Sequence, residues 1–197
     1  MYISAQQLQA FEARYGAPRM LRVQVPVGAD ELAMVRASRK NGRRHDFTVF
    51  ALEGNQVVVI HKPFHPPGVY RAPSGGVKPG EGIVEGTLRE MHEETGLLVA
   101  LDKYLLRIEA RFVAGEESEE WVSHVITAHM VGGRLSPIDT HEIAEARWVS
   151  LAELQGPIRQ ALLASGRGLL AYRAMLTDQV VDMLRPGRSA FCQNRSD

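Results

Sequence analysis

Three glutamates set the chemistry that this chain can perform. Glu90, Glu93 and Glu94 follow one another at i, i+3 and i+4, a spacing that projects their carboxylates from neighbouring points of a helix. Arg89 stands beside them, four residues before Glu93. Negative charge near a helix C-terminus opposes the macrodipole, and like charges at i, i+4 repel. A cluster that breaks both rules calls for a cation, and one arginine cannot neutralise it. Hard oxygen ligands of this kind suit Mg²⁺ or Mn²⁺; magnesium keeps several waters and is shared with substrate phosphates.

The stretch that must position them is GGVKPGEGIVEGTLREMHEETGL, residues 75–97. It reads as a glycine-rich loop feeding a helix. At 3.6 residues per turn, Val84, Leu88 and Met91 fall on one stripe with Thr95 at its end, which predicts the buried face. Gly82, Gly86, Arg89, Glu90 and Glu93 fall opposite, with Glu94 at the edge. A helical glycine costs roughly 1 kcal/mol relative to alanine. Gly82 and Gly86 are therefore expected to leave room for a ligand beside the carboxylates. Gly96 suits a left-handed cap.

Taken together, Gly75, Glu81, Arg89, Glu90, Met91, Glu93, Glu94, Gly96 and Leu97 resemble a Nudix box at every fixed position. So many identities in one spacing are far more specific than a lone glycine motif. The resemblance implies the Nudix fold, an α/β/α sandwich around a mixed β-sheet. It also implies hydrolysis of a P–O–P bridge in a nucleoside diphosphate linked to another moiety. Charge stabilisation and positioning dominate such chemistry. Glu90, Glu93 and Glu94 are the expected metal ligands. Arg89 is expected to orient Glu93, and Glu81 to hold the loop by a charge contact. A backbone carbonyl at residues 74–76 could also reach a metal. The general base is Glu90, Glu93 or Glu142. Glu142 is chosen because related proteins often carry an acidic residue before the corresponding strand, with Glu145 as the alternative. Two other readings of this fold are a binding or regulatory module without turnover and an isopentenyl diphosphate isomerase-like enzyme. The latter uses a core cysteine, and Cys192 is badly placed for it.

The box occupies a small part of the 197 residues. An apolar fraction of 45 % can support a core, and the formal net charge is zero. Neither nucleic-acid nor membrane binding is suggested by that balance. One cysteine excludes a disulfide framework. No signal peptide or membrane span is read, so a cytoplasmic protein is expected. A homodimer is a further expectation.

Three segments are expected: an extension at 1–44, a Nudix domain at 45–155 and helices with a tail at 156–197. In the first, Ser4 caps a short helix bearing Leu8, Phe11 and Tyr15. Residues 20–27 form an edge strand, since Pro26 excludes a central place. The basic run at 36–45 reads as a solvated loop, or else as a guide for polyphosphate or a dimer contact. Two strands follow at 46–52 and 56–61, the second apolar enough to be covered on both faces. Residues 69–72 are a short extended piece. Strands at 104–113 and 121–130 flank an acidic loop at 115–120. Ser150 caps a short helix, and 157–185 is helical with a break near 165–168. His61 and His65 read as ordinary core or surface residues. Phe64, Tyr70, Phe112 and Trp121 are candidates to stack on a base, though packing suits most of them. The proline and tyrosine that mark some ADP-ribose and dinucleoside polyphosphate members are absent from 111–113.

Overall fold

Alternation along the first core strand decides the layers. The computed structural model describes residues 3–39 and 42–185; Cys192 and the tail from 186 lie outside them. Six strands run across one mixed sheet in the order β1 (Arg19–Pro26), β5 (Leu97–Ala114), β6 (Glu117–Gly133), β2 (His45–Glu53), β3 (Gln56–His61) and β7 (Glu145–Ser150). The short β4 (Ser74–Gly75) pairs with β2. The β1/β5 and β2/β6 pairs are parallel, and the other pairs are antiparallel.

Phe47, Val49 and Ala51 of β2 face α1 (Ala5–Tyr15) and α3 (Ile83–Thr95). Phe50 and Leu52 face the other way, towards α2 (Ala29–Ser38), α5 (Arg159–Ala164) and α6 (Gly168–Leu184). A period of two on a pleated strand produces this division. It gives the α/β/α sandwich that the box resemblance implies. The apolar run in β3 behaves the same way: Val57 and Val59 join the α6 side, Val58 the α3 side, and all are fully buried.

The segments on either side of the central strands pack onto this sheet. β1 is an edge strand and ends at Pro26, whose missing N–H costs no ladder bond there. Ser4 caps α1 through a reciprocal pair, Gln7 N–H to Ser4 Oγ at 3.1 Å and Ser4 N–H to Gln7 Oε1 at 2.8 Å. Ser150 caps α4 (Leu151–Glu153) by accepting from Glu153 N–H at 3.0 Å. A π-helical turn at Leu154–Ile158 containing Pro157 leads on to α5. The break before α6 falls at residues 165–167.

Three local expectations differ from the structure. α2 occupies a stretch read only as extension, and its ten residues carry too short a pattern to stand out. What holds it is remote: buried Glu31 accepts from Gly168 N–H and Leu169 N–H, each at 3.0 Å, at the start of α6. A carboxylate at a helix N-terminus is favourable there. The acidic stretch at 115–120 is not a solvated loop. Only Gly115 and Glu116 form the turn, and Glu117 and Glu119 bind Arg36 from α2 at 3.0 and 2.8 Å. The third difference is the α3 face. Gly86, Thr87 and Glu94 are buried with Met91 and Thr95, whereas Val84 and Leu88 are only partly covered.

Candidate active site

The loop before α3 folds back across the helix. Gly86 therefore does not leave room for a ligand. A Cβ there would lie 2.6 Å from Glu81 Oε2 and 3.1 Å from Val77 Cα, so the chain's own loop fills the space. Gly82 is exposed and serves as the helix N-cap. At the other end Gly96 takes φ +76°, and its N–H reaches His92 O at 2.7 Å, the left-handed cap expected.

Arg89 is the hub of this loop and helix. It donates to Glu81 Oε1 and Oε2 at 2.7 and 3.0 Å, to Glu90 Oε1 at 2.9 Å, to Glu93 Oε2 at 2.9 Å and to Gly76 O at 3.1 Å. One guanidinium thus ties three carboxylates and the loop backbone together, using the several donors of its rigid fork. Glu81 also accepts from Lys78 N–H at 2.8 Å. Hydrogen bonds from Arg89 hold Glu81 below its ordinary pKa. Its position is that of a loop tether, as the sequence reading expects.

Glu90 and Glu94 have too little positive charge for their burial. Burial raises the Glu90 carboxyl above its usual range, against the pull of Arg89. The Glu90 carboxylate also passes so close to the loop that a Cβ on Gly75 would lie 2.0 Å from Oε2. A larger residue there would force the Glu90 side chain to move. Glu94 is 4 % exposed, and burial pushes it up to about 7 despite Arg71 and Lys62. Its Oε2 accepts from Ser74 N–H at 2.7 Å. Its Oε1 is 3.8 Å from Arg71 Nη2 and 4.0 Å from Lys62 Nζ, beyond hydrogen-bond reach. Glu93 is 40 % exposed at its side chain.

Among the described residues, no three or more His, Cys, Asp or Glu side chains are gathered as a ready cation cage. Arg89 holds one oxygen each of Glu90 and Glu93. Glu142 accepts from Lys62 Nζ at 3.0 Å, so the same lysine links it to Glu94. Glu145 accepts from Tyr70 Oη at 2.7 Å. His61 Nδ1 lies 2.9 Å from Val69 O, and His65 Nδ1 accepts from Lys62 N–H at 3.4 Å.

A cavity of about 550 Å³ lies between α2, α6 and residues 62–66. Lys62 and Arg71 line it and also face Glu94. Arg71 is 8 % exposed and fixed by donating to Ala72 O and Ser74 Oγ, both at 2.8 Å. On the far wall Arg173 donates to Asp46 Oδ2 at 2.7 Å and to Thr48 Oγ1 at 3.0 Å. Trp121 Nε1–H donates to Asp46 Oδ1 at 3.2 Å. Burial alone would raise Asp46, but Arg173 and the hydrogen bonds hold it below its ordinary value. The sequence reading missed Lys62, Arg71 and Arg173. Each lies outside the box and is recruited by packing, so spacing gave no signal for them. Of the aromatic candidates, Phe112 and Trp121 are buried, Tyr70 holds Glu145, and Phe64 is 66 % exposed at the cavity.

The family model described as the NUDIX domain matches residues 42–168, more than half of the chain. The chain belongs to the NUDIX family. It is 28 % identical over 120 residues to the NAD-capped RNA hydrolase NudC of Stutzerimonas stutzeri, covering 58 % of this chain and 39 % of that one. It is 33 % identical over 124 residues to the 8-oxo-dGDP phosphatase NUDT18 of Mus musculus, covering 61 % and 36 %. The chain therefore spans well under half the length of these NUDIX relatives. The solution structure of the E. coli ORF135 protein matches with TM-score 0.51 and 18 % identity, covering 75 % of this chain and 94 % of that one. That likeness concerns the fold.

Proposed function

We propose that this NUDIX protein hydrolyses a pyrophosphate bridge in a nucleoside diphosphate linked to another moiety, with Mg²⁺ or Mn²⁺. One observation carries the reading: Glu90 and Glu94 are carboxylates of one helix whose burial outweighs their positive neighbours, and Glu94 faces Lys62 and Arg71, which also line the cavity. An all-oxygen set short of positive charge fits a hard divalent ion. Glu90 and Glu94 would hold it, with Glu93 on a further ion directly or through water. When bound, such an ion supplies neutralisation of phosphate charge and polarisation of a phosphoryl oxygen.

The chain's own groups do the rest. Arg89 fixes Glu90 and Glu93 in place and closes the loop over the helix. Glu90, Glu93 or Glu142 takes the proton of the attacking water. Lys62 holds Glu142 beside Glu94 and carries positive charge for a phosphate oxygen. The cavity receives the attached moiety. No described helix is long and apolar enough to cross a membrane.

The test is a panel of ADP-ribose, a UDP-sugar, 8-oxo-dGDP, NADH and an NAD-capped oligonucleotide. The last is included because several relatives bear that activity in their names. Phosphate release is followed after coupled phosphatase, with and without Mg²⁺ or Mn²⁺. Metal-dependent turnover of at least one compound is expected, falling about 100-fold or more in Glu90→Gln and Glu94→Gln, beyond the loss typical of an outer contact. Full turnover in both variants overturns the assignment. Tight binding of one compound without turnover of any favours the binding-module reading instead.

A further inference from the structure

Arg43 differs from Arg36 and Arg39 of the same basic stretch. Arg36 is taken up by Glu117 and Glu119, and Arg39 by Glu119. Arg43 has no carboxylate within ion-pair distance among the described residues. Its Nε donates to Ser38 O at 3.2 Å, and its Cζ lies 5.8 Å from the centre of the Trp121 ring. These two contacts stretch the side chain from the end of α2 towards the loop before α3. There the guanidinium rests on Gly76: a Cβ on that residue would lie 1.9 Å from Nη1. The preceding glycine receives Glu90 in the same way, with its Cβ position 2.0 Å from Oε2. Two consecutive glycines thus admit a carboxylate and an arginine side by side. The field of Arg43 reaches Glu90 and is among the charges that act on it.

The neighbours of Arg43 complete the picture. Ser38 and Trp121, which hold it, also line the cavity. Its guanidinium therefore spans the gap between the carboxylates of α3 and the cavity wall. Only Nε is used by Ser38, so the remaining donors of the fork keep their capacity. A planar cation with spare donors matches phosphate oxygens, and charge-assisted bonds of this type are roughly twice as strong as neutral ones.

We propose that Arg43 clamps a non-bridging oxygen of the substrate's diphosphate and so directs the attached moiety into the cavity. The inference rests on the pyrophosphate-hydrolase reading. The probe is α,β-methylene-ADP with Mg²⁺, whose carbon bridge cannot be hydrolysed, with binding measured by calorimetry. Arg43→Ala is expected to weaken binding about 10- to 100-fold, the size of a hydrogen bond to a charged group. Arg43→Lys should recover part of that loss, because charge remains but the fork does not. Arg36→Ala, which removes a cation already paired, should bind like the wild type. On a substrate found by the panel, Arg43→Ala should raise KM with kcat within about threefold, the sign of lost uniform binding. Equal binding by wild type and Arg43→Ala, or an equal loss in Arg36→Ala, overturns the clamp while leaving the hydrolase reading in place. A wild-type chain that fails to bind the probe overturns the clamp, and the hydrolase reading then stands or falls on the substrate panel.

Discussion

The Arg89 hub and the Asp46–Arg173 pair are two arginine networks on opposite faces of one sheet, and they are assembled in different ways. Arg89 draws its partners from residues 76–93, all within one loop and helix. Arg173 draws Asp46 and Thr48 from across 127 and 125 residues of sequence. The first is spread over groups that are partly exposed and holds a loop in place. The second holds a buried carboxylate: the Asp46 side chain is 7 % exposed, while Arg173 at 20 % is covered about as well as Arg89. A local network can be loosened without taking the fold apart. A long-range buried pair cannot, because removing one partner leaves an uncompensated charge inside.

That contrast can be broken first at its strongest point. Arg173→Ala should lower the unfolding free energy by about 3–5 kcal/mol, as read from urea denaturation, through the stranded Asp46. A loss below about 1 kcal/mol would place the pair among surface ion pairs instead.

The next effect concerns Glu94, which lies between the two networks. Its folded pKa is raised from 4.5 to about 7 by burial. The neutral form is therefore favoured in the folded state. The stabilisation is fully present below the unfolded value of 4.5 and is lost as pH rises through about 7. Burial lowers His45 to about 4 and His124 to about 3, which acts in the opposite sense by destabilising the fold as pH falls from 6.5. The readout is thus the difference between two proteins. Without metal, the stability of Glu94→Gln relative to wild type should rise by about 3 kcal/mol between pH 4.5 and pH 8, since each tenfold change in proton affinity is worth about 1.4 kcal/mol. A flat difference would remove Glu94 from the set of under-neutralised charges.

The smallest effect belongs to the local network. Arg89→Lys keeps the charge and loses the fork. It should lower turnover about 10-fold, in the range for a group that orients ligands, with little change in the urea midpoint. A collapse of stability equal to that of Arg173→Ala would erase the distinction.

How much of this was legible in the sequence follows the same division. The box helix, its left-handed cap at Gly96, the cap residues Ser4 and Ser150, and the edge strand ending at Pro26 all rest on local rules. Each needs only neighbours a few residues away. Helix α2 was missed because Glu31 caps it and α6 together, a contact across 137 residues. The role given to Gly86 was wrong because spacing shows which face a residue occupies and not what covers it.

The sequence by itself determined the carboxylate spacing, the arginine that serves it and the family they mark, because a helix turns an i, i+3, i+4 pattern into one surface. Tertiary structure alone decided which carboxylate is buried, how positive charge reaches it and where the cavity lies. Glu94 is desolvated because β4 lies against it; Lys62, Arg71, Arg43 and Arg173 come from four separate segments. Burial and long-range pairing depend on how the sheet packs its layers, and no local pattern encodes that.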